Sequence, residues 1–154
     1  MFLLDTNIIS AMAPSKTVGR AALADWLDQA SDHLFLSVIT ASEITSGIAK
    51  AEREGATKKT ALLREWWQAV EYLYNERILP FDLRTAHAAG TILDRARAHQ
   101  PGFEDIAIAA MAEVHGLTIL TDNERHFAPL GVPMLNPLKT LPSLPAVEGA
   151  PHLA

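Results

Sequence analysis

Phe2-Leu3-Leu4-Asp5-Thr6-Asn7 stands at the head of the chain, and the fold is read outward from it. Three apolar residues run into three that favour caps and turns, which predicts a buried strand ending at Asp5. Val18 to Ala30 reads as a helix, because Ala22, Leu23, Trp26, Leu27 and Ala30 recur on one face. His33 to Val38 reads as a second strand. Thr40 to Glu54 reads as a helix with a stop at Gly55, and Thr40 and Glu43 have the spacing of a capping box. Thr57 to Tyr74 is predicted to be a long helix with Leu62, Leu63, Trp66, Val70 and Leu73 on its apolar face. Ile78 to Phe81 is a short strand, and Asp82 caps a helix from Leu83 to His99. After the break at Pro101-Gly102, an Ala-rich helix runs from Phe103 to His115 and ends at Gly116. Leu117 to Thr121 is a β-branched strand, Asp122-Asn123 a turn, and Val132 to Leu135 a last short strand. Strands alternating with helices require long crossovers, hence parallel pairing. The expected fold is one α/β domain with three layers, α/β/α, around a central parallel sheet of four to five strands.

The chain has 154 residues, of which 49% are apolar, enough for one domain with a real core and too many for a disordered chain. The domain is expected over residues 1–136. Residues 137–154 hold Pro142, Pro145, Pro151 and Gly149 with little patterning, so an extended or disordered tail is expected there. There is no cysteine, which excludes disulfides, thiolate metal sites and a cysteine nucleophile. Any metal must take oxygen or imidazole ligands. The formal net charge of −5 argues against gripping nucleic acid by charge alone, but not against holding phosphates through a bound cation. No secretion signal precedes Asp5, and no run approaches the ~18 apolar residues of a membrane span. A cytoplasmic protein without a membrane anchor is therefore expected.

Ligands of an open parallel sheet bind beyond the carboxyl ends of its strands. Asp5 and Asp122 fall at strand ends, and Glu43 and Asp105 fall in the first turns of helices that follow. Four acids thus converge on one edge although they are far apart in the chain. Carboxylates gathered in a cleft raise one another's pKa unless something compensates. A divalent cation with hard oxygen ligands, Mg²⁺ or Mn²⁺, is the economical compensation, and it serves phosphodiester hydrolysis. Each acid also has a plainer reading. Glu43 closes the capping box with Thr40. Glu104 and Asp105 favour the helix dipole by about 0.3–1 kcal/mol. Asp5 or Asn7 caps a helix, and Asp122-Asn123 makes a turn. His87, His99, His115 and His126 lack metal-ligand spacing, and only His126 lies near Asp122. Trp66 and Trp67 read as core, with a partner surface, an apolar groove able to receive a helix, as the alternative. Lys50, Arg53, Lys58, Lys59 and Arg64 read as a solvated face or as a patch for RNA phosphates. Ser10 and Ser42 lie in no nucleophile elbow, and no glycine-rich phosphate loop is present.

These segments resemble PIN-domain ribonucleases. The resemblance lies in Leu3-Leu4-Asp5-Thr6-Asn7, in Ser37-Val38-Ile39-Thr40-Ala41-Ser42-Glu43-Ile44, in Glu104 to Ala112, and in Gly116 to Asn123. The match is nearest to the toxins of bacterial VapBC-type toxin–antitoxin pairs. It implies a PIN fold, Mg²⁺- or Mn²⁺-dependent endoribonuclease activity on RNA, a cognate antitoxin protein that blocks the site, and a homodimer. By position Asp5, Glu43 and Asp105 match the family's acids, with Thr6 or Asn7 supporting Asp5 and Thr121 orienting the site. Where many relatives place the fourth acid, this chain has Asn123 and His126. Asp122 and Glu124 are the adjacent alternatives, and Asp122 is preferred because it follows the strand end. Two rival readings are an aspartyl-phosphate phosphatase, which needs an acid where Asn7 stands, and a catalytically weak or receiver-like domain that binds a protein partner, with Asp82 as acceptor.

Overall fold

The computed structural model describes residues 1–14 and 19–144. Its elements run β1 (Phe2–Leu4), α1 (Thr6–Ser10), α2 (Ala21–Gln29), β2 (Leu34–Ser37), α3 (Val38–Arg53), α4 (Thr57–Tyr74), β3 (Ile78–Leu79), α5 (Leu83–Arg95), α6 (Phe103–His115), β4 (Thr118–Leu120), α7 (Glu124–Phe127) and β5 (Met134–Leu135). The five strands form one sheet in the order β3-β2-β1-β4-β5, and every pair is parallel. The sheet expected from the sequence is therefore present, with five strands. Chain order runs outward from β1 to β3, then returns to place β4 on the other side of β1. The order reverses between β1 and β4, the switch point at which open α/β sheets bind ligands.

Alternation along β1 sorts the core into two layers. Leu3 packs with Ile92, Ile108, Met111, Ile119 and Phe127 on the side of α5 and α6. Leu4 packs with Ile8, Trp26, Leu34, Ile48 and Trp67 on the side of α1 to α4. Side chains with no exposure, such as Ile119 and Leu36, each contribute about 1.5–3 kcal/mol by leaving water. Ile106 through Ala112 are buried on every face of α6, which explains that helix's alanine content: small side chains let it lie close between the sheet and α5.

The boundaries shift in physically informative ways. The helix expected from Thr40 begins at Val38 instead, because the buried Ser37 is its N-cap and its hydroxyl accepts the Thr40 N–H at 3.1 Å. Val38 is therefore helical rather than the end of the strand. The capping box between Thr40 and Glu43 does not form, since Thr40 already lies inside the first turn. Asp82 caps α5 as expected, accepting from the Thr85 N–H at 3.0 Å and from its hydroxyl at 2.9 Å. That engagement, and the position of β3 at the sheet edge, remove Asp82 as the acceptor of a receiver-like domain. The helix expected to reach His99 ends at Arg95, and a tight turn over Arg97–His99 follows it. Gly116 ends α6 in the left-handed region at φ 64°.

The expected start of α2 at Val18 and the last ten residues of the tail lie outside the described residues. The part of the tail that is described runs past α2, where the Trp26 indole N–H donates to the Pro142 carbonyl at 2.8 Å. Trp67 lies in the core as expected, whereas Trp66 is only half-buried. No helix among the described residues is long and apolar enough to cross a membrane.

Ser37→Ala should lower stability by about 1 kcal/mol through loss of the α3 cap. A urea melt should show a lower midpoint at an unchanged slope. Glu43→Gln should leave the midpoint no lower, because Glu43 is not part of the cap. A large loss in Glu43→Gln would restore the capping-box reading.

Candidate active site

Asp5 follows β1 directly, and its N–H still bonds the Leu120 carbonyl at 2.9 Å, so the β1–β4 ladder runs on to its backbone. Its side chain is buried, with 6% exposure. It caps α1, accepting the Thr6 N–H on Oδ1 at 2.8 Å. The Thr121 hydroxyl, at the end of β4, donates to Oδ2 at 2.8 Å. Thr121 Oγ1 in turn accepts the Asn123 N–H at 2.9 Å and faces the Asn7 amide at 3.5 Å. Thr6 and Thr121 therefore bond the Asp5 carboxylate directly, and Asn7 and Asn123 reach it through Thr121.

Glu43 reaches the same place from α3. The Thr6 hydroxyl donates to its Oε1 at 3.0 Å. Having given its proton to Glu43, Thr6 Oγ1 accepts from Thr40 Oγ1 at 2.9 Å. Thr40 Oγ1 accepts from the Ser37 hydroxyl at 3.3 Å. A file of hydroxyls thus runs from the buried end of β2 to Glu43. Ser37 and Thr40 were not singled out as site residues from the sequence. Their only signal was small hydroxyl residues one helical turn apart at the strand–helix junction.

Asp105 stands in the first turn of α6 beside Glu104. Its Oδ2 lies 3.1 Å from His126 Nδ1, so the histidine watched for its nearness to Asp122 is paired with Asp105 instead. The charge of Asp105 bears on both Asp5 and Glu43, that of Glu43 on Asp5, and that of Glu104 on Glu43. The Asp5 carboxyl is pushed up to about 6, first by burial, then by the charges of Asp105 and Glu43, against the opposing bonds from Thr121 and Thr6. Glu43 is also raised, first by burial, then by Glu104 and Asp105. Glu104 is thus part of the field, a role the dipole reading had hidden.

Asp122 occupies a different neighbourhood. It is exposed, its N–H donates to the Asn7 side-chain carbonyl at 3.3 Å, and its carboxylate accepts from Asn136 Nδ2 at 3.4 Å. Glu124 accepts from the same amide and pairs with Lys139. Neither acid figures among the charges that raise Asp5 or Glu43. Asn136 and Lys139 were not foreseen, since nothing in their sequence context marks them.

The donor set suits a hard divalent cation in type and charge. It is all oxygen, it is anionic, and among the described residues no lysine or arginine pairs with Asp5, Glu43, Glu104 or Asp105. Also among the described residues, no three acidic or imidazole groups already stand at metal-ligating geometry. The raised carboxyls of Asp5 and Glu43 reflect burial first and then the nearby acids, with no lysine or arginine among the described residues to offset either.

The sequence profile of the family described as PIN domain matches residues 2–131. The chain belongs to the PIN domain family. It is 34% identical over 140 residues to the toxin FitB of Neisseria gonorrhoeae, covering 89% of this chain and 98% of that protein. It is 31% identical over 140 residues to the VapC ribonuclease Y4jK of Sinorhizobium fredii, covering 89% and 97%. Among solved structures, the fold matches a chain of the crystal structure of FitAcB from Neisseria gonorrhoeae with a TM-score of 0.77 and 34% identity, over 90% of this chain and 99% of that one. In this PIN domain the Asp5 carboxyl lies at the switch point of the sheet, within the influence of Asp105 and Glu43.

The raised carboxyl sets a pH dependence. Asp5 titrates at about 6 when folded, against an ordinary value of 3.8. Between those values the folded state binds more protons, so its stabilising protonation is complete below the lower value and lost as pH rises through the upper one. In EDTA, stability should fall by up to about 3 kcal/mol from pH 4 to pH 7. Asp5→Asn should flatten that fall. Matching pH–stability curves for the two proteins would show that Asp5 is not the group responsible.

Proposed function

We propose that this PIN domain is a metal-dependent endoribonuclease that hydrolyses RNA phosphodiesters, and that it is the toxin of a toxin–antitoxin pair held in check by a protein antitoxin. One observation carries the chemical part: the carboxylate of Asp5 is buried at the end of β1, is raised first by that burial and then by the charges of Asp105 and Glu43, and has no cationic partner among the described residues. Such a group is stabilised by a divalent cation. The relatives called toxin FitB and VapC ribonuclease Y4jK support the biological part, as does the likeness to the FitAcB structure.

Asp5, Glu43 and Asp105 would hold Mg²⁺ or Mn²⁺, and the bound ion supplies an activated water and neutralises charge developing on the phosphate. The protein's own contribution is position. Thr121 and the Thr6 N–H fix both oxygens of Asp5, so its carboxylate cannot turn away. The Thr6 hydroxyl holds Glu43 toward the same point. His126 restrains Asp105 on the open side. We assign Asp122 a lesser part, adding negative charge at the rim, because Asn136 engages its carboxylate.

Purified chain incubated with cellular RNA should cleave it in Mg²⁺ or Mn²⁺ and not in EDTA, and Asp5→Asn should reduce cleavage to background while folding normally. Thr121→Val should cost about 10–100-fold in activity or metal affinity, the usual effect of losing a group that orients a ligand. Asp122→Asn should cost less than either. Mg²⁺ should also raise the melting temperature of the wild type and not of Asp5→Asn. Full cleavage by Asp5→Asn, or by wild type in EDTA, would overturn the assignment.

A further inference from the structure

Beside the carboxylates a pocket of about 280 Å³ opens between α1, α3 and α4. Glu43 stands at one end, Gly47 and Ile48 line it along α3, and Leu63, Trp66 and Lys59 close it from α4. Positions 43, 47 and 48 share one helical face, so the pocket begins where the acid cluster ends. Its walls are mainly apolar, in contrast with the anionic site next to it.

Gly47 is the informative residue. It lies in the middle of α3, where glycine is a poorer choice than alanine. It is not among the glycines with positive φ. An added Cβ there would meet nothing within 4 Å. Neither backbone conformation nor packing in this chain calls for glycine, and what its absent side chain leaves is clearance in the pocket wall. Trp66 is half-buried and rests against Trp67, with ring centroids 5.9 Å apart. Trp67 lies in the core, and Trp66 packs against that core while keeping part of its ring exposed. Lys59 forms no ion pair among the described residues.

We infer that this pocket receives one nucleobase of the RNA strand, stacked on Trp66, with Lys59 on a neighbouring phosphate and Gly47 supplying the room. The inference rests on the endoribonuclease reading and gives it a specificity site. Single-stranded RNA is held by stacking on aromatic rings together with cations along its backbone. A base is neutral and its faces are apolar, so it can lie beside carboxylates that repel a phosphate. The volume is just under that of drug-sized ligand sites, which suits one ring system better than a helix laid in a groove. Because the pocket adjoins Glu43, a base held there would fix which phosphodiester meets the acids.

The test compares the full-length wild type with Gly47→Leu and Trp66→Leu in Mg²⁺. Cut ends in cellular RNA are mapped, and kinetics are then measured on a single-stranded oligoribonucleotide spanning one mapped site. Gly47→Leu should melt no lower than wild type, since leucine favours the helix, yet raise KM at least fivefold or change the base preferred beside the cut. Trp66→Leu should lower kcat/KM by about 5- to 150-fold, the cost of one lost stack. Wild-type cleavage with unchanged kinetics and cut pattern in both variants would overturn the pocket inference and leave the nuclease reading standing. Absence of wild-type cleavage with any metal would fell the nuclease reading itself, and the inference with it. If Gly47→Leu lost binding to a protein partner while its RNA kinetics stayed the same, the pocket would belong to a protein side chain instead.

Discussion

The hydrogen bond from the Thr121 hydroxyl to Asp5 joins the ends of the two central strands, and the site is organised around it. It places a carboxylate inside the protein, where ionisation is opposed by burial, and fixes that carboxylate where β1 and β4 meet. Two further consequences follow. The helix after β1 must start at once, because Asp5 is also its cap. The helix before β4 must aim its first turn, which carries Asp105, toward that point, and α3 must bring Glu43 there from its second turn.

The sheet was largely legible in the sequence because apolar runs and turn residues alternate sharply. Leu3 and Leu4, both apolar, are buried on opposite faces, the pattern of a strand covered by helices on both sides. The places of Asp5 and Asp105 were legible for a related reason, since strand ends and helix first turns are set by short local patterns, whereas Glu43, expected in a first turn, lies one turn further into α3 because that helix begins at Val38. The start of α3 was misread because Ser37 and Thr40 are both competent caps. Only tertiary burial of Ser37 at the end of β2 decides between them. The company kept by Asp122 was not legible either. It depends on Asn136, which follows the last strand and meets Asp122 only through the pairing of β5 with β4.

The negative charge of the chain takes on a local meaning. A few acids elsewhere are paired with an arginine, as Glu52 is with Arg64 and Glu113 with Arg95, both pairs exposed and worth little in stability. At the switch point no lysine or arginine pairs with Asp5 or Glu43 among the described residues, and the file of hydroxyls from Ser37 to Thr6 supplies direction without charge. Neutral donors can hold carboxylates in place while leaving their affinity for a cation undiminished. A lysine in the same position would satisfy the acids and spend that affinity.

Asp5 lies near the beginning of the chain and Thr121 far along it, and β4 is among the last strands to be made. During synthesis the first strand must therefore wait for nearly the whole domain before the carboxylate cluster can assemble. A ribosome that stalls before β4 releases a chain with Asp5 and Glu43 but without the strand that seats them. The topology is in this sense a safeguard in time: the site comes into being only once both β1 and the much later β4 have been made.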